Sequence, residues 1–213
     1  MNDVKRGRGR PRDAGLVARR EEEILAVATR VFAETGYRQT DVQVVADRLG
    51  VGKGTVYRYF PTKEVLFFGA VDAGMRALVE CIDAAVSGLD DPVEHFERGI
   101  RSYLGFFDRN PDLVELLIIE RAEFRDREQA TYFVYKERDH ARRKAFIEKG
   151  IASGIIRDIP PERIMNVVGD CLYGAMFTNH FSNRRIPYER QAANIMDLLM
   201  NGVFTQRQAA QKP

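Results

Sequence analysis

Apolar residues recur at helical spacing along almost the whole chain, and segments that alternate as a strand would are nearly missing. Ile24, Val27, Ala28 and Val31 fall at i, i+3, i+4 and i+7, and Val42, Val45, Ala46 and Leu49 repeat the pattern over a shorter stretch. One buried helix face produces this period, whereas a half-buried strand requires a period of two. The fold expected is all-α with about nine helices: roughly 21–37, 42–49, 53–60, 62–82, 92–109, 113–124, 128–153, 161–182 and 188–205. Gly36 ends the first, and Thr40 with Gln43 three residues on reads as a capping box opening the second. Pro61 closes the third, Asp90-Asp91-Pro92 opens the fifth, and Asn110-Pro111 breaks it from the sixth.

The 213 residues, 45% of them hydrophobic, suffice for one good-sized core or a small domain plus a larger one. No apolar run approaches the roughly 20 residues of a membrane span, and the basic N-terminus lacks the apolar segment of a secretory signal. Cys81 and Cys171 are far apart and outside any ligand spacing, which suits a reducing cytoplasm, and both read as buried small hydrophobes. His95, His140 and His180 have no second ligand at i+3 or i+4, so no metal is expected. No nucleophile elbow or Ser/His/Asp spacing suggests an enzyme, and no cofactor is implied.

Charge is distributed unevenly. Residues 1–63 hold 13 Lys/Arg against 8 Asp/Glu, a net +5, while the remainder holds 20 against 23, a net −3. A basic head on a mildly acidic body suits a nucleic-acid-binding module joined to something else. Within that head, LGVGKGTVYRYF (Leu49 to Phe60) admits two readings. A phosphate loop needs glycine five residues before Gly52, where Asp47 stands, and Ser or Thr after Lys53, where Gly54 stands; a strand should also precede it. All three requirements fail. A helix-turn-helix fits: small Ala46 permits a close crossing, Gly50 supplies the positive φ of the turn, and Val45, Leu49, Val51 and Val56 fill the seam. Lys53, Thr55, Tyr57, Arg58 and Tyr59 then project from a helix too short to be explained as core.

The run TDVQVVADRLGVGKGTVYRYFPTKEVL (Thr40 to Leu66), with Phe32-Ala33 and Gly36-Tyr37 before it, resembles the N-terminal domain of the TetR/AcrR family of bacterial transcriptional regulators. Beyond it, size and helix order agree, and ELLIIERAEFRDR and GDCLYGAMFTNHF are similar to one large subgroup. Gly52 departs from the serine often found there. The resemblance implies that Gln43, Lys53, Gly54 and Thr55 face base edges in the major groove. It further implies that Tyr57, Tyr59 and Lys63 touch phosphate and that Thr40 caps the second helix. Glutamine can read adenine and lysine can reach guanine, while a glycine admits close approach. Each tyrosine ring could also serve ordinary packing.

Arg8 and Arg10 lie in KRGRGRPR (residues 5–12), whose Arg-Gly-Arg-Pro is similar to an AT-hook core; this arm either enters an A·T-rich minor groove or is a non-specific basic tether. Asp170 sits in a helix apolar around most of its circumference, so burial is expected, either paired with an arginine or lining a ligand pocket. With Tyr103, Phe107, Phe124 and Phe177 it forms the expected effector pocket, although such aromatics also serve as plain core. The expected division is an arm at 1–19, a DNA-binding domain at 20–65, and an effector-binding and dimerisation domain at 66–213. The expected function is a repressor that binds a palindromic double-stranded DNA operator and is released by a small-molecule effector, apolar or amphipathic. The homodimer should form through the last two helices. The alternative is an architectural DNA-binding protein without an effector.

Overall fold

The computed structural model describes residues 14–182 and 186–203, and all regular structure among them is helical. Ten helices follow in order: α1 Ala14–Gln39, α2 Val42–Arg48, α3 Lys53–Tyr59, α4 Lys63–Val86, α5 Pro92–Arg109, α6 Pro111–Glu123, α7 Thr131–Arg138, α8 His140–Ala152, α9 Pro161–Ser182 and α10 Tyr188–Asn201. They form two compact units, one ending at Ala73 and the other starting at Gly74. The boundary falls inside α4.

In the N-terminal unit the predicted stripe of α1 is the core face. Ile24, Ala28, Val31 and Phe32 are inaccessible to solvent, as are Val45, Ala46, Val56, Leu66 and Phe67 from α2, α3 and α4. Phe67 meets Phe32 edge-on at 5.1 Å and Tyr37 at 5.3 Å, a geometry that suits the quadrupoles of aromatic rings. Gly36 interrupts α1 at φ 74°, ψ 166°, as its position in the pattern predicted.

The C-terminal unit buries Ile100, Tyr103, Leu104, Leu113, Leu116 and Leu117 along the interior faces of α5 and α6. Asp91 accepts the amide of Val93 at 2.9 Å and Pro92 takes the first helical position, which fixes the start of α5. Gly105 lets α10 come close: a Cβ there would stand 2.8 Å from the ring of Tyr188.

The helix expected over 128–153 is two. It breaks at Asp139 (φ −100°, ψ 4°), which ends α7 and precedes α8. The break is held by side chains: Arg142 donates to the Asp139 carboxylate from Nε at 2.6 Å and from Nη2 at 3.0 Å, and Arg143 donates to the carbonyl of Lys136. The start shifts to Thr131 because buried Glu120 takes both the amide of Thr131, at 2.9 Å, and its hydroxyl, at 2.8 Å. α10 ends at Asn201, where Gly202 turns out at φ 72°.

Candidate nucleic-acid interface and ligand cavity

α2 opens differently from its predicted capping box. Asp41 is the N-cap, its carboxylate accepting the amide of Gln43 at 2.8 Å. Thr40 is buried, its hydroxyl 2.6 Å from the carbonyl of Gly36 and 2.6 Å from the hydroxyl of Thr35, so it closes the end of α1 instead. Both residues are good caps, and the one whose backbone is extended directly before the first helical residue takes the position.

The turn after α2 follows from Gly50, which adopts φ 65°. Its amide bonds to the carbonyl of Asp47 at 3.1 Å and that of Val51 to Ala46 at 3.0 Å, the pair of bonds by which a left-handed residue closes a helix. Val45, Ala46 and Val56 are buried beneath the turn, with Leu49 and Val51 half-buried. These residues lock α2 and α3 together as a helix-turn-helix.

The outward side of this pair carries the predicted contact residues. Gln43 donates its side-chain amide to Asp47 at 2.7 Å, and the Lys53 ammonium lies 2.6 Å from the Asp41 carboxylate. The Gln43 amide, and after it Lys53, holds the Asp41 carboxyl below its ordinary range; Asp41 in turn raises Lys53. Gly54 is exposed, and a Cβ there would meet nothing within 4 Å. It also has no positive φ, so nothing within the fold requires a glycine. Thr55, Tyr57 and Tyr59 are partly exposed; Lys53 stands 5.9 Å from the centre of the Tyr57 ring and Arg58 stands 5.4 Å from that of Tyr59. Lys63 is anchored on the end of α1, donating to the carbonyls of Arg38 and Thr40 at 3.1 Å each, with Tyr37 beneath it. Arg8 and Arg10 lie outside the described residues.

The C-terminal unit holds a partly open cavity of about 560 Å³, within the range of small-molecule sites. Its walls are mainly apolar: Met75, Leu78 and Ile82 from α4, Phe96 and Ile100 from α5, Phe146 and Ile147 from α8. Tyr103 and Tyr132 add a hydroxyl pair 2.9 Å apart. Burial pushes both phenols up, Tyr132 to about 12. Lys136, Arg142, Arg143, His95, Asp83 and Asp139 bring charge and polarity to the lining. Arg142 bonds to both Asp83 and Asp139. His95 lies against Phe146 at 3.8 Å, and burial, then Arg142, lowers its pKa. The buried Nδ1 of His95 and Nε of Arg143 have no hydrogen-bond partner.

Of the five residues expected to form this pocket, Tyr103 lines it. Phe107 packs against Tyr103 with centroids 4.9 Å apart and, like Phe124 and Phe177, is absent from the lining. Phe177 packs between Tyr173 and Phe181. Asp170 is not buried: its side chain is 79% exposed and 3.7 Å from Lys136. The exposed residues Val167, Asp170, Cys171, Gly174 and Thr178 mark an outward strip of α9, so Cys171 is exposed too, while Cys81 is half-buried. The sequence reading missed His95, Arg142 and Arg143; a run such as KERDHARRK carries the signature of a solvated face.

Among the described residues no helix is long and apolar enough to cross a membrane, and no group of side chains could hold a metal ion.

Residues 24–70 match the family model of bacterial regulatory proteins, tetR family. The HTH-type transcriptional regulator YhgD of Bacillus subtilis is 28% identical over 153 residues, 67% of this chain and 75% of that protein. The HTH-type transcriptional repressor KstR2 of Mycobacterium tuberculosis is 26% identical over 168 residues, 75% of this chain and 80% of that one. Among solved structures, FadR of Bacillus subtilis in complex with stearoyl-CoA superposes with a TM-score of 0.71 over 86% of this chain and 99% of its own, at 19% identity, a likeness of fold. Residues 24–70 are thus a helix-turn-helix module of the tetR family of bacterial regulatory proteins, and with its all-helical second unit the chain is similar over most of its length to DNA-binding transcriptional regulators.

Proposed function

We propose that the chain is a ligand-responsive repressor that binds a palindromic operator as a homodimer and is released by an amphipathic small molecule. The observation that carries this reading is the cavity: a closed-core architectural protein has no use for about 560 Å³ of mainly apolar space with two buried nitrogens, His95 Nδ1 and Arg143 Nε, that lack a hydrogen-bond partner. An effector with an apolar body suits Met75, Leu78, Ile82 and Phe146, and a polar end suits Arg143 and His95. The naming of KstR2 as a repressor and the stearoyl-CoA of FadR support the same reading by analogy.

Gln43, Lys53, Gly54 and Thr55 are proposed to meet base edges, and Tyr57, Tyr59 and Lys63 phosphates, with Arg8 and Arg10 following the minor groove. The open space above Gly54 supports its part, since a backbone without a side chain can approach the groove closely. The proposed division keeps the expected arm, DNA-binding domain and regulatory domain (1–19, 20–65 and 66–213), with the bounds moved to Ala14, where α1 starts, and to Ala73, where the unit that buries Leu66 and Phe67 ends, and with the chain acting in the cytoplasm. α9 and α10 expose Val167, Phe181, Leu198, Leu199 and Met200, apolar surface that a two-fold interface would cover. Release is a population shift, in which the effector favours a spacing of the two recognition helices that no longer fits successive major grooves.

The test is calorimetry of the full chain with stearoyl-CoA and with free palmitate, followed by competition against a duplex selected from a random pool. Saturable binding with release of the duplex supports the reading. Saturating ligand that leaves duplex affinity unchanged speaks for DNA binding without ligand control.

A further inference from the structure

We infer that Asp41 sets how strictly the chain discriminates among DNA sequences: its carboxylate engages Lys53 in the free protein and penalises every duplex that offers Lys53 nothing better. The inference rests on the proposed DNA-facing role of α2 and α3. One carboxylate oxygen, Oδ1, both caps α2, taking the Gln43 amide at 2.8 Å, and receives the Lys53 ammonium at 2.6 Å. The cap requires an acceptor, and Asn or Ser supplies one as well as Asp does. The negative charge is therefore surplus to the fold. It is also 61% exposed, on a surface proposed to meet a polyanion.

The second proposed base reader is held in the same way. Gln43 gives its side-chain amide to Asp47 at 2.7 Å. Lys63 differs, being anchored on backbone carbonyls. So Gln43 and Lys53, two of the four residues assigned to base edges, are each engaged by an acid from the same short segment, while Lys63, one of the three assigned to phosphate, is bonded to neutral groups.

When Lys53 turns to DNA it leaves Asp41 behind without its ion-pair partner, holding only the Gln43 amide, on the surface proposed to face phosphate. On an arbitrary sequence Lys53 exchanges one oxygen anion for another, and the carboxylate repulsion remains as a net cost. On a sequence that presents guanine O6 and N7 to Lys53, the base contact offsets that cost. A repulsive element acting on all wrong partners raises specificity while lowering overall affinity.

The experiment compares the parent with Asp41→Asn and Asp41→Ser, two uncharged caps, on random-sequence duplex by fluorescence anisotropy across a salt series. Both variants should bind the random duplex about fivefold more tightly and gain about one unit of salt slope, because the Asp41 charge no longer opposes phosphate beside Lys53. In selection from a random pool they should enrich a site less sharply than the parent. In a Lys53→Gln background the gain from Asp41→Asn should shrink. Parent-like affinity and slope on random duplex, with unchanged enrichment, would overturn the inference while leaving DNA binding intact. A parent that holds no duplex at all overturns the DNA-facing assignment, and this inference with it. A large fall in the melting temperature of both variants also overturns it, since the charge would then be serving the fold.

Discussion

The hydroxyl of Tyr103 on α5 lies 2.9 Å from that of Tyr132 on α7, and both rings are buried at the cavity wall. Burial holds both phenols protonated beyond their ordinary range, Tyr132 up to about 12. Below about pH 10 the folded and unfolded chains are equally protonated and this contribution to stability is complete. Above it the unfolded chain loses protons that the folded chain keeps, so stability should fall as pH rises from about 10 towards 12. Tyr132→Phe should cost about 1 kcal/mol at neutral pH and flatten the alkaline decline. Urea midpoints at neutral and alkaline pH measure both; an unchanged alkaline slope counts against the buried pair.

Glu120 is 1% exposed and joins α6 to the start of α7. Arg127 donates to it at 2.8 Å, in addition to the two bonds from Thr131. Glu120→Ala removes the acceptor of all three, and should destabilise the chain by about 2–4 kcal/mol. Arg127→Ala should cost less in the same urea titration, because the arginine is 40% exposed and retains access to water. Equal losses would mean that the ion pair, and not the Thr131 contacts, carries the stability.

Lys63→Ala should weaken binding to operator and random duplex alike and lower the salt slope by about one unit, the behaviour of a phosphate contact. The same change removes two bonds to the end of α1. A loss of about 1 kcal/mol in thermal stability should therefore accompany it. Loss confined to the operator would reassign Lys63 to base recognition.

Much of this architecture could be read from residue spacing. Gly50 announced its turn because a helical stripe stops one residue before it and a second apolar run starts one residue after. Asp91-Pro92 and Asn110-Pro111 marked the bounds of α5 through the backbone chemistry of proline. The break at Asp139 left no such mark, since one residue out of helical φ/ψ in a charged segment leaves composition unchanged, and what holds it is Arg142 from the next helix. Thr40 and Asp41 were interchangeable by type, and their roles separate through the bond from Thr40 back to Gly36 and the extended backbone from which Asp41 caps the Gln43 amide. Asp170 and Cys171 were misplaced for a different reason. Apolar residues surround α9, and periodicity cannot tell a side that packs within its own chain from one left open. The cavity was least legible, because its polar lining comes from helices whose charges look like ordinary surface.

Val167 and Leu199 are 60% and 43% exposed on α9 and α10. Val167→Glu with Leu199→Glu should convert a micromolar dimer to monomers that keep their helical circular dichroism and bind DNA poorly. Sedimentation velocity reads the change, and Cys171, on the same strip of α9, should react with a maleimide faster in the double variant. Unaltered sedimentation would move the interface elsewhere.

Selection of duplexes by the full chain from a random pool separates a dimeric operator-binding regulator from an architectural protein. One enriched sequence with two-fold symmetry is expected, its half-sites about one helical turn apart, held by two copies of the chain. A retained pool with no symmetric sequence, or only a general preference for A·T-rich DNA, would contradict the dimeric regulator and favour an architectural protein.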